Sequence, residues 1–435
     1  LKFINNMPFW DEKTETMRPA ELEKLQLKRL KHIVNYCYGN IPFYREKFRK
    51  AGIKPSDIKT LGDVERIPYT TKQDLRDNYP FGMVAVPSSS INRIHASSGT
   101  TGKPTVVAYT RGDLDVWTDL MARELYMVGV SEEDTVQLIY NYAFFTGGFG
   151  FSQGAERIGA AVIPAGVGNT RKQIQVMRDF NVSVFSSTPS YALHLAEVLE
   201  EQDLGVEDMG LRVGVFGAEP WSEAIRGRIE KYFGIDAFDN YGLSEMCGPG
   251  VCIECGQKEG MHLWGDHFLP EIVDSEGNHS DTGELVLSTL TKEALPLLRY
   301  RTGDLTSFLD DDCACGRTHR RIARIMGRVD DMLIIKGVNV FPSHVEEIIM
   351  SFPQIGDSYQ IIVERVHEMD SLRVRVEVGP EFFTGSETGL RELRLRLEED
   401  LRSGLDVGVR VELVEPLSLE RSVGKAQRVI DLRKE

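Results

Sequence analysis

With 435 residues, 41% of them hydrophobic and 27% charged, the chain has an ordinary globular composition and room for two or three domains around a large core. A net charge of −15, from 51 basic and 66 acidic residues, argues against general nucleic-acid binding, and no apolar run approaches the roughly 20 residues that span a bilayer. No signal peptide is visible, so a cytoplasmic protein away from membranes is expected.

In chain order, residues 11–50 place Leu22, Leu25, Leu27, Leu30, Ile33 and Val34 at helical spacing, broken by turn chemistry over residues 38–44. Thr71 followed by Asp74 predicts a capped helix. Next comes Ser97-Ser98-Gly99-Thr100-Thr101-Gly102-Lys103-Pro104. Four hydroxyls, two glycines and a lysine can converge on phosphate oxygens, although the glycine spacing is not that of a Walker loop. A mobile Ser/Thr/Gly surface turn is the other reading.

A strand over 106–109 and a helix over 113–128 follow, then a buried strand over 135–140 that runs into Asn141-Tyr142-Ala143-Phe144-Phe145-Thr146-Gly147-Gly148. Aromatics beside paired glycines at a strand end suit a cavity mouth or a core cluster. Strands at 160–164, 182–186 and 211–216 alternate with helices at 171–179, 191–201 and 222–233, which predicts a mostly parallel, covered sheet. Residues 266–310 turn strand-rich and are expected to form a small β-barrel subdomain. Past Asp330 short β and α elements, with a charged helix over 390–401, predict a small mobile α+β domain. The fold class is therefore α/β, with domains at 1–329 and 330–435.

Five of the six cysteines (37, 247, 252, 255, 313 and 315) fall between residues 247 and 315, a grouping that suggests metal before disulfides. Cys255, His262, Cys313 and Cys315 would make a closed, structural zinc site of three thiolates and one imidazole. Cys247, Cys252 and His319 are spare candidates, and unligated thiols are the alternative.

Further stretches are Asp239-Asn240-Tyr241-Gly242-Leu243-Ser244-Glu245, Tyr300-Arg301-Thr302-Gly303-Asp304-Leu305, Gly327-Arg328-Val329-Asp330-Asp331-Met332 and Gly424-Lys425-Ala426-Gln427-Arg428. With the Ser97–Pro104 loop they resemble, in this order, the adenylate-forming acyl-CoA ligase superfamily. Gly154-Ala155-Glu156-Arg157, Leu290-Thr291-Lys292-Glu293-Ala294 and Lys336-Gly337-Val338-Asn339-Val340-Phe341-Pro342-Ser343 resemble its phenylacetate-CoA ligase branch.

The resemblance implies an enzyme that joins an aryl acid to coenzyme A through an acyl-AMP made from ATP and Mg²⁺, and a homodimer. The acidic surface is no obstacle to ATP, because exposed charges are screened beyond about 8 Å. Ser97 to Lys103 would hold the β- and γ-phosphates. Tyr241 would stack near adenine with Gly217-Ala218-Glu219-Pro220 on its other face, within a wall that includes Asp239, Asn240, Gly242 and Ser244. Glu245 would hold Mg²⁺, and Asp304 would accept both ribose hydroxyls. Tyr140, Tyr142 and Phe145 would line the aryl pocket. Lys425 and Arg328 are the other catalytic candidates, Asp330 the hinge, and Gly337 the close approach beside the pantetheine arm. A similar branch member, an adenylyltransferase moving AMP onto a deazaflavin coenzyme, is the second reading.

Overall fold

The computed structural model describes residues 8–96, 103–202, 204–206, 209–336, 338–366, 369–383, 387–421 and 428–434. Ser97, Ser98, Gly99, Thr100, Thr101, Gly102, Gly337 and Lys425 lie outside the described residues. Helices α1 (Glu12–Glu15), α2 (Pro19–Asn40), α3 (Pro42–Ala51) and α4 (Lys72–Asp77) come first. Proline opens both α2 and α3, where its missing N–H costs nothing. The expected cap of α4 is a full capping box, Thr71 Oγ1 accepting from Asp74 N and Asp74 Oδ2 from Thr71 N at 2.8 Å.

A hairpin of β1 (Arg93–Ala96) and β2 (Val106–Tyr109) carries the glycine-rich loop between its strands. Helix α5 (Arg111–Met127) begins two residues earlier than its periodicity predicts, since Thr110 rather than a later residue caps it by accepting from Asp113 N at 3.0 Å. The βα series follows: β3 (Thr135–Leu138), α6 (Gly147–Ile158), β4 (Ala161–Ile163), α7 (Thr170–Asp179), β5 (Val184–Ser187), α8 (Pro189–Glu201), β6 (Val213–Gly217), α9 (Glu223–Phe233) and β7 (Asp236–Leu243). Strands β4, β3, β5, β6 and β7 run parallel in that order, covered by helices, as the buried runs of β5 and β6 require.

From β7 the sheet turns antiparallel through β8 (Gly248–Glu254) and β9 (Met261–Leu263), while β10 (Phe268–Val273), β11 (Thr282–Thr289) and β12 (Tyr300–Leu309) form a meander. The short β13 (Arg321–Ile322) pairs with both β12 and β9, and β14 (Gly327–Arg328) pairs with β12. The strand-rich region expected as a barrel is thus joined by its ladders to the parallel strands, giving one twelve-stranded sheet among the described residues.

The remaining elements are a hairpin of β15 (Leu333–Ile335) and β16 (Val338–Val340), α10 (Pro342–Met350), β17 (Ile355–Val366), β18 (Met369–Val378), α11 (Pro380–Phe383), α12 (Glu387–Leu405), β19 (Val409–Val414) and β20 (Val429–Asp431). The last four strands form their own sheet, β19-β18-β17-β20. Leu393, Leu397, Leu401 and Leu405 form the buried stripe of α12 at helical spacing, with its charges outward. This C-terminal unit shares a core with α8 and α9 of the body through Tyr191, Ile225, Ile229, Val345, Ile349 and Tyr359. No helix among the described residues is long and apolar enough to cross a membrane.

Candidate active site

Strand β7 leaves the parallel sheet beside β8, and Gly242 permits this closeness: a Cβ there would lie 1.8 Å from Gly248 O. Where β6 ends, Gly217 would likewise drive a Cβ to 2.3 Å from Asn240 O, and Ala218 takes φ +70°, a left-handed conformation costly for alanine. Together with β12 and β14 these ends surround a cavity of about 360 Å³.

One end of that cavity is polar. Tyr241 donates its hydroxyl to Asp304 Oδ2 at 2.7 Å, and Arg328 Nη1 donates to Asp304 Oδ1 at 2.8 Å. Arg328 also reaches Asp330 Oδ1 at 2.9 Å. Burial raises the Asp304 pKa, with Arg328 opposing it. Each oxygen of Asp304 already accepts one protein hydrogen bond and keeps one further acceptor site, enough for two ligand hydroxyls. Glu245 is buried on the same wall, its Oε1 accepting from Tyr300 Oη at 3.2 Å. Its backbone is held from below by Lys292, whose Nζ donates to the carbonyls of Glu245 at 2.8 Å and Met246 at 2.5 Å.

The other end is aromatic. Tyr140 and Phe151 stack with centroids 5.5 Å apart and planes 5° from parallel, and Tyr140 donates to Ser187 O at 2.7 Å. Phe145 completes the wall against Gly147.

The structure brings Tyr140, Phe145, Gly217, Ala218, Glu219, Pro220, Asp239, Asn240, Tyr241, Gly242, Ser244, Glu245, Asp304, Arg328 and Asp330 to this one cavity. Three of the expected residues have protein neighbours of their own. Tyr142 turns elsewhere, pairing with Ser152 Oγ at 2.8 Å and meeting Phe149 edge-on, so it packs under the wall rather than forming it. Asn240 gives its amide to Glu124 Oε2 at 2.6 Å, a carboxyl pushed up to about 8 by burial, and therefore braces the sheet. Lys103 is exposed, its ammonium 5.7 Å from the Tyr79 ring.

Burial and the nearby Glu254 push Asp239 up to about 6, against the pull of Arg324. Thr146, within the stretch expected at a cavity mouth, also lines the cavity, as do Lys72, Phe151, Arg324 and Ile325, which escape a motif reading. Lys72 stands in the Thr71–Asp74 capping stretch, which signals a helix start and nothing about a pocket. Arg324 carries no sequence signal at all.

Removing the Tyr241 hydroxyl tests the polar end. Hydrogen bonds to charged groups contribute about 1.5–3 kcal/mol, so the ATP site that the sequence resemblance implies at this end predicts a KM for ATP raised roughly tenfold or more in Tyr241→Phe, read in steady-state assays. An unchanged KM would separate this pair from nucleotide binding.

About the same strand system lies a second cluster. Cys255 follows β8, His262 is in β9, and Cys313 and Cys315 lie between β12 and β13. Their ligand atoms all fall within 4.8 Å of one another, with Cys255 Sγ to Cys313 Sγ 3.6 Å and Cys315 Sγ to His262 Nε2 3.3 Å. Zn–S bonds of about 2.3 Å set tetrahedral edges near 3.8 Å, so the set fits a zinc ion. His262 Nδ1 faces His319 O at 3.3 Å, which fixes the ring with Nε2 free to ligate. His319 is not a ligand: its Nδ1 accepts from Gly265 N at 3.1 Å and its Nε2 faces Thr14 O at 2.9 Å.

Comparison with known proteins agrees with this geometry. The family described as AMP-binding enzyme matches residues 24–289, and that described as AMP-binding enzyme C-terminal domain matches 337–433. The phenylacetate-coenzyme A ligase of Escherichia coli strain K12 is 49% identical over 429 residues, covering 96% of this chain and 97% of the relative. That of Aromatoleum evansii is 46% identical, covering 97% of each. Among solved structures, 2-hydroxyisobutyryl-CoA ligase in the postadenylation state with 2-HIB-AMP superposes with a TM-score of 0.92 at 33% identity, over 98% of this chain and 93% of that one. The same enzyme with CoA in the thioesterification state gives 0.72 at equal identity, over 98% and 94%. Sequence is constant between the two, so this chain's parts are arranged as in the former.

Proposed function

The chain belongs to the AMP-binding enzyme family, and on that premise we propose that it is an ATP-dependent ligase that activates phenylacetate or a related aryl acid as an acyl-AMP and passes the acyl group to coenzyme A. The observation that carries this reading is the two-ended cavity, aromatic at Tyr140, Phe145 and Phe151, polar at Tyr241, Glu245 and Asp304. An aryl acid seated at the first end presents its carboxylate toward a nucleotide held at the second.

In the first step a carboxylate oxygen attacks the α-phosphorus of ATP, the bond to the bridging oxygen of pyrophosphate breaks, and pyrophosphate leaves. Charge develops on phosphate oxygens, so positioning and cations dominate and no enzyme nucleophile is needed. Asp304 takes the ribose hydroxyls, Tyr241 and residues 217–220 flank the base, and Ser97 to Lys103 receive the β- and γ-phosphates. Glu245 would hold Mg²⁺, which neutralises charge on those oxygens when bound. Lys425 bridges the carboxylate and the α-phosphate.

In the second step the thiol of coenzyme A attacks the acyl carbon, loses its proton and displaces AMP. A lid of residues 330–435 supplies Lys425 for the first step and swings about Asp330 for the second, when Gly337 meets the pantetheine arm. Cys255, His262, Cys313 and Cys315 hold a structural zinc. We place the enzyme in the cytoplasm, as a homodimer.

The test is AMP release from ATP and Mg²⁺ with a panel of aryl acids, with and without coenzyme A. Release that needs both acid and coenzyme A is expected, greatest with phenylacetate-like acids. AMP transferred to a deazaflavin instead would overturn the reading.

A further inference from the structure

The residues flanking Lys425 on either side are fixed in the structure, and they are fixed to different partners. On the N-terminal side Arg421 makes a double bidentate contact. Its Nε and Nη2 donate to Glu197 Oε2 and Oε1 at 3.0 and 2.7 Å, while Nη1 and Nη2 donate to Glu377 Oε1 and Oε2 at 2.7 and 2.8 Å. Glu197 belongs to α8 of the body and Glu377 to β18 of the C-terminal unit, so a single guanidinium joins the two. On the C-terminal side the Arg428 guanidinium sits 4.5 Å above the ring of Tyr359, which donates to the buried Glu346 Oε2 at 2.6 Å. Arg228 and Asp357 add a second bridge between body and C-terminal unit at 2.6 Å.

The geometry points to Arg421 as a positioning residue for the first half-reaction: its clamp on Glu197 holds the C-terminal unit against the body in the arrangement that step uses. This rests on the role given to Lys425 above. Helix α8 carries the constraint to the pocket itself, because Ser190 N in its first turn donates to Glu219 Oε1 at 2.8 Å, and Glu219 lines the nucleotide cavity. Arginine suits the task, since its planar fork can satisfy two carboxylates at once. Glu197 is 84% buried at its side chain and Glu377 97%, which shields the pair from the screening that makes exposed ion pairs weak.

A clamp between body and lid holds one arrangement and opposes the other. Its selective weakening should therefore separate the half-reactions, which a merely structural contact would not do. The experiment measures acyl-AMP formation and, separately, thioester formation from supplied acyl-AMP in Glu197→Gln, Glu197→Asp and Lys425→Ala. In Glu197→Gln acyl-AMP formation slows about tenfold in kcat, the value of one partly buried pair, with the KM for ATP and acid within twofold because Glu197 touches neither. Thioester formation is undiminished or faster, and Glu197→Asp falls between. Equal loss of both half-reactions, or unimpaired adenylation in Glu197→Gln while Lys425→Ala has lost it, overturns the clamp and leaves the role of Lys425 standing. Unimpaired adenylation in Lys425→Ala takes both down.

Discussion

Alanine at position 425 lowers the rate of acyl-AMP formation by about 10²–10³, the loss expected when one preorganised donor to a developing phosphate charge is removed, or about 3–4 kcal/mol. Thioester formation from supplied acyl-AMP stays within a few fold of normal. The split follows from chemistry: in the first step negative charge gathers on the α-phosphate as the carboxylate approaches, and an ammonium touching both relieves their repulsion. In the second step the phosphate leaves as AMP, and in the proposed cycle the lid has by then carried Lys425 away to admit the thiol, so the lysine adds little there. Single-turnover pyrophosphate release measures the first step and thioester absorbance the second. Equal loss in both would refute the assignment. Proline at the proposed hinge gives the mirror image: Asp330→Pro impairs thioester formation more than adenylation, since a locked φ limits the swing of the lid.

Why some of this site was legible in the string and some was not has a physical basis. Tyr241, Glu245 and Asp304 stand in short stretches whose residue types serve ligand chemistry, and the structure gathers them round one cavity. What the string conceals is what each side chain touches inside the protein. Tyr241 meets Asp304 across 63 residues, Asn240 meets Glu124 across 116, and Arg421 meets Glu197 across 224. None of these pairs has a spacing that a local pattern could carry. Tyr142 was one of three aromatics at a strand end, and only the glycine beside it decides its direction: the ring lies where a Cβ on Gly148 would stand, 2.9 Å away. The parallel strands could be read from alternating buried runs and helices, whereas the union of the antiparallel meander with them depends on β13, two residues long, which no periodicity reveals. The cysteine cluster was legible by residue type, but only the hydrogen bonds of His319 separate it from His262 as a ligand.

Substituting Cys313 by serine, or stripping metal with a strong chelator, removes one zinc per chain by elemental analysis and lowers Tm by about 5–10 °C, the shift that a loss of several kcal/mol gives in a large domain. The loop that bears Cys313 and Cys315 anchors the N-terminal segment. Immediately after Cys315 and Gly316, Arg317 makes a fully buried ion pair with Glu15 at 2.6 Å, and removing the support of a buried pair is costly because both charges stay desolvated. Thr318 donates to Glu15 O at 3.4 Å, and His319 faces Thr14 O at 2.9 Å, so α1 is docked on the loop that bears Cys313 and Cys315. Past it, Arg321 and Ile322 pair with His262 and Met261 to tie β13 to β9, and Arg324, two residues on, lines the two-ended cavity. Loss of the ion therefore loosens the N-terminal segment first, read as new proteolytic cleavage before residue 20, and raises the KM for ATP before it unfolds the body. Cys252→Ser, which alters a buried thiol outside the cluster, keeps its zinc. Purified protein with no zinc at all and an unchanged Tm after chelation would leave the four side chains as a packed cluster of thiols and nothing more.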